Sequence, residues 1–485
     1  MTDLPVFLFK NGSYINGTWH TDSADKFSVF NPADGTEIAS LCRATQQEAR
    51  LAVAAARDSL KDWQSRPAKE KSSLLRQWYS LIIKFQDDLA HIMTAEQGKP
   101  LAESKAEIIY AANYIDWFAE EAKRIYGDTI AAPSNDKRIV VIKQGIGVVS
   151  AITPWNFPSS MITRKAAPAL AAGCTFIVKP AAETPLSALA LATLAEDAGI
   201  PAGVFNVIVS DKSREIGEVL TKDPAIGKFS FTGSTEVGRK LLEQCSSTVK
   251  KTTMELGGNA PFIVFDDADI DEAIQGAMQS KYRNAGQTCV CSNRIFVQSS
   301  IYEEFAEKFT KHVRALKTGN GFADQVDIGP LVNAGAVESV DSLVQGAIQA
   351  GATVLTGGKR SVLGPCFYEP TVLANVAADM DIAMHEIFGP VAPLIKFDTE
   401  AEVIAMANAT EFGLASYIYT RDIGRIWRVS EALEFGMVGI NEGIISNEMA
   451  PFGGVKQSGM GREGSKYGLD DYLEIKYLCM GGINK

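Results

Sequence analysis

Hydrophobic and polar positions recur along this chain with two periods, one typical of helices and one typical of strands. The helical period is clearest in residues 45–63, an Ala-rich stretch that opens on the capping-box pattern Thr45-x-x-Glu48. Further helices are predicted over residues 67–90 and 102–125. Strands rich in β-branched side chains are predicted over residues 138–143 and 147–152.

From residue 175 onward, a short apolar strand, a turn and a helix repeat. The predicted strands are 175–178, 204–208 and 228–231, and the helices that follow them are 185–198, 213–220 and 236–245. Such alternation predicts an α/β fold with a mostly parallel sheet that is covered on both faces. Ligands of such sheets bind beyond the carboxyl ends of the strands. We therefore expect Lys179, Thr232 and Gly233 to lie where a cofactor binds.

A second α/β region is predicted after Gly258 and extends to about residue 435. It opens with a strand, a helix and the loop that contains Cys289. The final segment, residues 471–479, alternates in the manner of an exposed strand. Exposed terminal strands are commonly paired, and a neighbouring subunit is one candidate partner.

Two glycine-rich segments are candidates for phosphate binding. The segment Gly459-Met-Gly461-Arg-Glu-Gly464 matches the dinucleotide fingerprint, but no predicted strand precedes it, and the 21 residues after it (485 − 464) are too few for a βαβ unit. We therefore interpret it as a turn. The segment from Phe231 through Gly233 and Ser234 follows a strand and opens a helix, which suits a phosphate, although ordinary strand-to-helix turns share this spacing.

Composition limits the functional classes. The chain has 485 residues, 46% of them hydrophobic, which is typical of a globular protein of two or three domains. A formal net charge of −11 argues against a nucleic-acid-binding surface, and neither a leader peptide nor a membrane span is expected. The seven cysteines include no CxxC pair, so we expect no disulfide framework, no metal site and a cytoplasmic location.

Candidate chemistry is concentrated in two segments, Asn284-Ala-Gly-Gln-Thr-Cys289-Val-Cys291 and Met254-Glu255-Leu-Gly-Gly-Asn259. A free cysteine is usually a small buried hydrophobe. A thiol combined with a separate carboxylate base is suited to covalent acyl chemistry, and none of the four histidines is close to Cys289 in sequence. The proximity of Cys289 and Cys291 also suggests the hypothesis of a redox switch.

Seven motifs together resemble the aldehyde dehydrogenase superfamily over nearly the full length of the chain. They are Pro154-Trp-Asn156-Phe-Pro158, Lys179-Pro180, Phe231-Thr-Gly-Ser234, Glu255-Leu-Gly-Gly258, Gly286-Gln-Thr-Cys289, Glu386-Ile-Phe388-Gly-Pro390 and Pro451-Phe-Gly-Gly454. The resemblance implies a Rossmann-like cofactor domain (1–125 and 146–257), an α/β catalytic domain (258–457) and a small β oligomerisation arm (126–145 and 470–485). It also implies a homo-oligomer, either a dimer or a tetramer.

The resemblance implies NAD(P)-dependent oxidation of an aldehyde to a carboxylic acid. Cys289 would attack the aldehyde to give a thiohemiacetal and then a thioester. The charge that develops on oxygen needs preorganised donors, which by resemblance are the Asn156 side chain and the Cys289 backbone amide. Glu255 would activate water to release the acid, and Lys165 would contribute to proton movement.

Cofactor contacts also follow from the resemblance. They are Trp155, Asn156, Lys179, Ala182, Gly233, Ser234, Leu256, Glu386 and Phe388. NAD-preferring relatives usually carry Glu at the position of Ala182, and NADP-preferring relatives often carry Ser or Thr. Because Ala182 removes the repulsion of a 2′-phosphate without adding a donor, we expect NADP as the cofactor, with NAD as the alternative.

Within the superfamily, the chain resembles succinate-semialdehyde dehydrogenases of the bacterial 4-aminobutyrate pathway. Their substrate ends in a carboxylate, for which Arg164, Arg283 and Ser446 are predicted to form a clamp. Glutarate semialdehyde, one methylene longer, would suit the same clamp. The presence of Glu255 argues against an acylating relative that uses coenzyme A. A catalytically silent family member is the remaining alternative.

Overall fold

In the computed structural model, which describes residues 6–484, the chain forms twenty β-strands. In chain order they are β1 (Ser13–Ile15), β2 (Thr18–His20), β3 (Lys26–Phe30), β4 (Glu37–Cys42), β5 (Asp128–Ile130), β6 (Arg138–Gly145), β7 (Val148–Ile152), β8 (Thr175–Lys179), β9 (Phe205–Val207), β10 (Ile226–Thr232), β11 (Lys251–Glu255), β12 (Ala260–Val264), β13 (Ser292–Gln298), β14 (Thr353–Thr356), β15 (Thr371–Ala374), β16 (Val391–Phe397), β17 (Ala415–Tyr419), β18 (Met437–Ile440), β19 (Gly459–Met460) and β20 (Leu473–Met480).

Fifteen α-helices connect and cover these strands in the same part of the chain. They are α1 (Gln46–Ser65), α2 (Ala68–Lys84), α3 (Gln86–Gln97), α4 (Leu101–Glu121), α5 (Ser160–Ala171), α6 (Pro185–Asp197), α7 (Ser213–Lys222), α8 (Thr235–Cys245), α9 (Ile270–Tyr282), α10 (Tyr302–Arg314), α11 (Ala334–Gln349), α12 (Asp381–Met384), α13 (Glu400–Asn408), α14 (Ile423–Ala432) and α15 (Tyr467–Asp470). The predicted capping box is present at the start of α1, where Thr45 and Glu48 satisfy each other's backbone amides.

The first large sheet has the strand order β19-β11-β10-β7-β8-β9-β1-β2, and its central pairs are parallel. Every residue of β8 and of the adjoining helix α5 is buried, as expected for a sheet covered by helices. This confirms the predicted Rossmann-like parallel sheet. Lys179, Thr232 and Glu255 are the last residues of β8, β10 and β11, and Thr232 is in register with Glu255. The candidate residues therefore lie along one carboxyl edge.

The second large sheet has the order β14-β15-β16-β13-β12-β17-β18 and is parallel except for β14 against β15. Its central strands are almost entirely buried and form the core of the second region, with Phe262 and Phe296 both 0% exposed. The segment between β11 and β12 passes from the first sheet to the second. The predicted domain ranges are compatible with this division of the strands, and the exact boundaries remain a prediction.

A third sheet, with the order β20-β6-β5, is antiparallel and stands outside both cores. The predicted terminal strand is confirmed as β20, which pairs with β6 from Leu473↔Gly145 to Met480↔Arg138. All its residues after Leu473 are exposed, so the alternating pattern does not mark one buried face. Pairing of this sheet with another subunit remains a prediction.

One helical prediction is wrong, and one helix was not predicted. The helix predicted over 67–90 is two helices, α2 and α3, because Phe85 leaves the helical conformation with φ −104° and ψ 23°. Helix-forming residues stand on both sides of Phe85, so the pattern carries no sign of the break. The sequence also gave no prediction for α5, which follows the Pro154–Pro158 motif directly.

Two kinds of feature are absent from residues 6–484. None of the helices there combines the length and the apolar character that crossing a membrane requires. No group of three or more His, Cys, Asp or Glu side chains in the same residues is arranged to hold a metal ion. All seven cysteines lie in this part of the chain and are free.

Candidate active site

A cavity of about 240 Å³ lies where the carboxyl edge of the first sheet meets the second region. It is lined by Pro154, Trp155, Asn156, Met161, Thr232, Gly233, Ser234, Leu256, Gly257, Cys289, Glu386 and Phe388. The structure thus brings together the predicted nucleophile, the predicted oxyanion donor and most of the predicted cofactor contacts. Glu255 directly precedes the lining residue Leu256.

The loop that carries Cys289 begins with a turn of unusual backbone conformation. Asn284 and Ala285 both have positive φ angles, 52° and 54°. Non-glycine residues adopt this region at a cost and persist there only when their surroundings fix them. The backbone amide of Asn284 donates to Glu103 at 2.8 Å, and its side-chain oxygen accepts from Gln97 at 2.9 Å. Residues from α3 and α4 therefore hold the turn that aims Cys289 at the cavity.

The Cys289 thiol is partly buried and lies in an environment that opposes ionisation. Burial raises the pKa of Cys289 to about 12, and the nearby carboxylates of Glu386 and Glu255 act in the same direction. The guanidinium groups of Arg164 and Arg283 act in the opposite direction and lower this pKa. An added positive charge or a base near the sulfur would favour the thiolate, which is the nucleophilic form.

Glu255 is a buried carboxyl group with the character expected of a base. Burial, followed by the charge of Glu463, raises the pKa of Glu255 well above its usual value, while Arg164 and Lys165 lower it. Its Oε2 atom has no hydrogen-bond partner among the described residues. A carboxyl group with a raised pKa is suited to accept a proton near neutral pH.

Glu463 is a buried carboxylate that the sequence did not reveal as part of this site. It forms ion pairs with both Arg164 and Lys165, neighbouring residues on α5. These two cations hold the pKa of Glu463 below its usual range despite its burial. Lys165, predicted to take part in proton movement, therefore contacts Glu463 and is not among the residues that line the cavity.

Asn156 is fixed by its backbone as well as by its side chain. Its Nδ2 atom donates to the carbonyl oxygen of Gln287 at 3.0 Å. An amide group carries two N–H donors, so one remains for a ligand. The Oδ1 atom of Asn156 has no partner within residues 6–484. Its backbone carbonyl oxygen accepts from Lys99 at 2.8 Å and from Asn284 at 2.9 Å.

The cofactor side of the cavity contains aromatic rings, a helix start and a carboxyl group. The rings of Trp155 and Phe388 meet edge to face with centroids 5.6 Å apart. Ser234 is the N-cap of α8, and its side chain makes no capping hydrogen bond to that helix. Both the hydroxyl and the helix N-terminus are thus available to an anion. Glu386 accepts from the Gly258 amide at 3.1 Å, and burial raises its pKa to about 8.

Lys179 and Ala182 lie away from this cavity. Lys179 is buried, its ammonium donates to the carbonyl oxygen of Pro180 at 3.0 Å, and burial lowers its pKa to about 8. Glu183 and Asp211 oppose that shift. Ala182, Glu183 and Asp211 line a separate cavity of about 580 Å³. The sequence prediction considered only that position 182 has no glutamate. The structure adds two acidic side chains, Glu183 and Asp211, to the same cavity.

The three predicted substrate-clamp residues differ in burial and in their contacts. Arg164 is buried, pairs with Glu463 and lies 4.0 Å from the centroid of the Phe452 ring. Arg283 is partly buried and forms no salt bridge with any acidic residue of positions 6–484. Ser446 is partly buried in the segment after β18. The convergence of these residues on one substrate carboxylate remains a prediction.

The parallel sheet, the helix start at its carboxyl edge and the thiol in the same cavity are the arrangement that the sequence predicted for an oxidoreductase of this family. The sequence model of the aldehyde dehydrogenase family matches residues 19–478, and the chain belongs to that family. Members of the family use NAD(P), and this chain is an aldehyde dehydrogenase.

Three relatives of similar identity differ in substrate. A 3-sulfolactaldehyde dehydrogenase of Pseudomonas putida is 58% identical over 479 residues, which cover 99% of this chain and 98% of that protein. The succinate-semialdehyde dehydrogenase [NADP(+)] GabD of Escherichia coli is 57% identical over 475 residues, or 98% of each chain. A glutarate-semialdehyde dehydrogenase of Pseudomonas aeruginosa is 57% identical over 477 residues, covering 98% and 99%.

Solved structures agree with this family assignment. The crystal structure of an E. coli NADP-dependent enzyme superposes with a TM-score of 0.97 at 56% identity, covering 98% of this chain and 99% of that one. A betaine aldehyde dehydrogenase of Staphylococcus aureus in complex with NAD+ gives a TM-score of 0.95 at 35% identity, covering 98% and 97%. The aldehyde dehydrogenase fold predicted from the sequence is therefore confirmed.

Proposed function

We propose that this enzyme oxidises aldehydes that carry a second, anionic group, with succinate semialdehyde as its substrate in 4-aminobutyrate degradation. The observation that carries the proposal is Arg283, a partly buried cation without a salt bridge to any described acid, close enough to Cys289 to affect its pKa. A guanidinium that forms no salt bridge within the described residues is suited to bind a substrate carboxylate. Glutarate semialdehyde is the second candidate, because a relative acts on it at equal identity.

The first half of the proposed reaction takes place at Cys289. Cys289 first loses its thiol proton to solvent, the thiolate sulfur then bonds to the aldehyde carbon, and the carbonyl oxygen takes up the negative charge. The free N–H of the Asn156 amide and the Cys289 backbone N–H would stabilise that oxygen. When bound, NAD(P) supplies the hydride acceptor, and Trp155, Ser234, Glu386 and Phe388 are placed to hold and orient it. Loss of hydride from the carbon leaves a thioester on Cys289.

The second half of the proposed reaction returns the thiol. Glu255 takes a proton from water, the resulting hydroxide bonds to the thioester carbon, and the carbon–sulfur bond breaks. The thiolate leaves and is reprotonated, while the product departs as the free carboxylate. The raised pKa of Glu255 supports this role, since a base of ordinary carboxyl pKa would accept a proton weakly at neutral pH. Lys165 would act on Glu255 through the shared charge of Glu463.

The coenzyme proposed for this chain is NADP, with NAD as the competing choice. Ala182 leaves a 2′-phosphate without the repulsion of a carboxylate at that position, and Lys179 supplies a nearby cation. The E. coli relative carries NADP(+) in its name. The carboxylate of Glu183, which lines the same cavity as Ala182, favours NAD instead, whereas Asp211 in that cavity is paired with Arg43.

One set of kinetic measurements tests substrate and coenzyme together. Reduced nicotinamide would be followed by absorbance with succinate semialdehyde, glutarate semialdehyde, 3-sulfolactaldehyde and butanal, each with NADP and with NAD. The proposal expects the highest kcat/KM for succinate semialdehyde with NADP, and butanal well below the three anionic aldehydes. A preference for butanal would refute the anionic substrate class. No turnover with any aldehyde would identify a catalytically silent family member.

We further propose a cytoplasmic homo-oligomer, either a dimer or a tetramer. Ile475 and Tyr477 on β20 are 71% and 60% exposed. Large apolar side chains on an exposed strand are usually covered by another subunit. Seven free cysteines suit a reducing compartment. Light scattering of the native protein measures the assembly, and a monomer at micromolar concentration would refute it.

A further inference from the structure

Two buried charged residues outside the cavity, Lys99 and Glu107, hold the backbone around Asn156. The ammonium of Lys99 donates to a carboxylate oxygen of Glu107 at 2.6 Å and to the carbonyl oxygen of Asn156 at 2.8 Å. The other carboxylate oxygen of Glu107 accepts from the backbone amides of Ser159 and Ser160, at 3.1 and 3.2 Å. The pair therefore holds the connection between β7 and α5 at two points, at Asn156 and at the start of α5.

Both members of this ion pair make several hydrogen bonds although the pair is almost inaccessible to water. Both side chains are 1% exposed. A buried ion pair seldom adds stability beyond what apolar side chains of similar volume give, but a fully hydrogen-bonded buried network is rigid. The ammonium of Lys99 also lies 4.1 Å from the centroid of the Phe157 ring. The two charges therefore fix the backbone position of the segment around Asn156.

The same network reaches the loop of the nucleophile. The side-chain amide of Asn284 donates to the carbonyl oxygen of Asn156 at 2.9 Å and to that of Gln287 at 3.2 Å. The side-chain amide of Asn156 also donates to the Gln287 carbonyl oxygen, at 3.0 Å. One N–H of Asn156 is therefore committed. The direction of the other N–H depends on the backbone that Lys99 holds.

We propose that Lys99 and Glu107 are positioning residues for the Asn156 amide as an oxyanion donor, an inference that rests on the proposed function. Oxyanion donors are effective because they are aimed in advance at the atom on which charge develops. A displacement of about 1 Å at a reacting centre can lower a rate about 100-fold. Lys99 prevents that displacement by binding the Asn156 carbonyl, and Glu107 fixes Lys99 to the start of α5.

The first test is Lys99→Met, which removes the charge and keeps an unbranched side chain. With succinate semialdehyde and saturating coenzyme, kcat is expected to fall at least about tenfold, part of the roughly 10²–10³-fold loss typical of removing one oxyanion donor. The KM for the aldehyde is expected to change less than about twofold, because ground-state contacts remain. Alkylation of Cys289 by iodoacetamide, a displacement that forms no oxyanion, should keep its rate. Equal losses in turnover and alkylation would overturn the proposal.

Asn156→Ala provides the matched reference for a double-mutant cycle. Adding Lys99→Met to Asn156→Ala is expected to lower kcat no further, because a residue that acts through the Asn156 amide then has nothing to position. Losses that multiply would overturn the inference. Turnover of the wild-type enzyme in the same series reports on the proposed function separately. Its absence would refute that function and this inference together, whereas multiplying losses in an active enzyme refute only the inference.

A second variant separates positioning from folding. Lys99→Met leaves the Glu107 carboxylate buried without its cation, which is destabilising. Lys99→Met/Glu107→Gln removes both charges and retains an acceptor oxygen for the two backbone amides, so it should melt closer to wild type and still lose kcat. Lys105→Met, on an exposed part of α4 where Lys105 pairs with Asp87 at 2.8 Å, is the control and should retain full activity. A double variant with wild-type kcat would overturn the proposal.

Discussion

Gly258 and Cys289 approach each other backbone to backbone, so that a Cβ added at Gly258 would overlap the carbonyl oxygen of Cys289. The amide of Gly258 also donates to Glu386 at 3.1 Å. Glu255 stands three residues before this glycine in the sequence. Because Gly258 has no side chain, the Cys289 loop can lie directly against the segment that follows Glu255 and that donates to Glu386.

Gly258→Ala is therefore expected to lower kcat about 100-fold, since the added methyl group must displace the Cys289 loop and small misplacements are costly. Steady-state kinetics and the melting temperature would be measured together. Gly346→Ala is the control, because Gly346 is helical and a Cβ there meets no described atom within 4 Å. That variant should be fully active and more stable by about 0.5–1 kcal/mol. Wild-type kcat in Gly258→Ala would show that the close approach is not required.

Glu255→Gln is expected to separate the two halves of the reaction. Removing the general base should slow hydrolysis of the thioester roughly 10²–10⁴-fold and leave an acylated Cys289. Mass spectrometry of the denatured enzyme, quenched shortly after mixing with substrate and coenzyme, would detect the acyl group. Cys289→Ala is the control and should show neither turnover nor adduct. An unmodified Cys289 in a slow Glu255→Gln enzyme would contradict the proposed role of Glu255.

Arg283→Ala is expected to lower kcat/KM for succinate semialdehyde roughly 10–100-fold, chiefly through KM, because a charge-assisted hydrogen bond contributes about 1.5–3 kcal/mol. Butanal has the same number of carbons and no charge, so its kcat/KM should be unchanged. Arg164→Met provides a contrast, since Arg164 pairs with Glu463 and its loss should reduce turnover of both aldehydes. Equal losses for both aldehydes in Arg283→Ala would refute the clamp.

Glu386 is expected to make coenzyme binding depend on pH. Its pKa of about 8 is raised by burial, so the carboxylate that would accept hydrogen bonds from ribose hydroxyls forms as pH rises through that value. The Kd of the coenzyme, followed by tryptophan fluorescence between pH 6 and 9, should fall across this interval. Other groups titrate in the same range, Lys179 among them, so the test is the difference between wild type and Glu386→Gln. Parallel profiles would exclude the role of Glu386.

Cys291 is expected to protect Cys289 from irreversible oxidation. The Cys291 thiol is buried and donates to the carbonyl oxygen of Lys281 at 3.1 Å. A sulfenic acid formed by peroxide on Cys289 would condense with this thiol to a disulfide and release water. Peroxide should therefore inactivate the wild type reversibly, with recovery by dithiothreitol, whereas Cys291→Ala should not recover. Cys479→Ala, which removes an exposed cysteine, should behave like wild type. Identical behaviour of all three proteins would end this hypothesis.

The fold was largely predictable because its signals are local. Caps such as Thr45, unbroken apolar strands such as 175–178 and the strand-to-helix turn at Gly233 each specify an element within a few residues. The break at Phe85 was not predictable, since no glycine or proline marks it. The exposed terminal strand was predictable, and β20 is exposed at every residue after Leu473.

The site residues that stand in recognisable sequence motifs were predictable. Those that join the site only through tertiary contacts were not. Cys289, Asn156 and Glu386 stand in recognisable motifs and line one cavity. Glu463 is inside the glycine-rich segment that was interpreted as a turn. It reaches Lys165 only because β19 pairs with β11, with Gly459 opposite Glu255. No local pattern encodes such a contact.

Strand β20, which pairs with β6 in the antiparallel outer sheet, follows shortly after Glu463 along the chain. Between them lies only α15 with its neighbouring residues, and Tyr472 there is buried. A partner that binds the outer sheet would therefore contact the chain only a few residues away from Glu463, the charge beside Glu255.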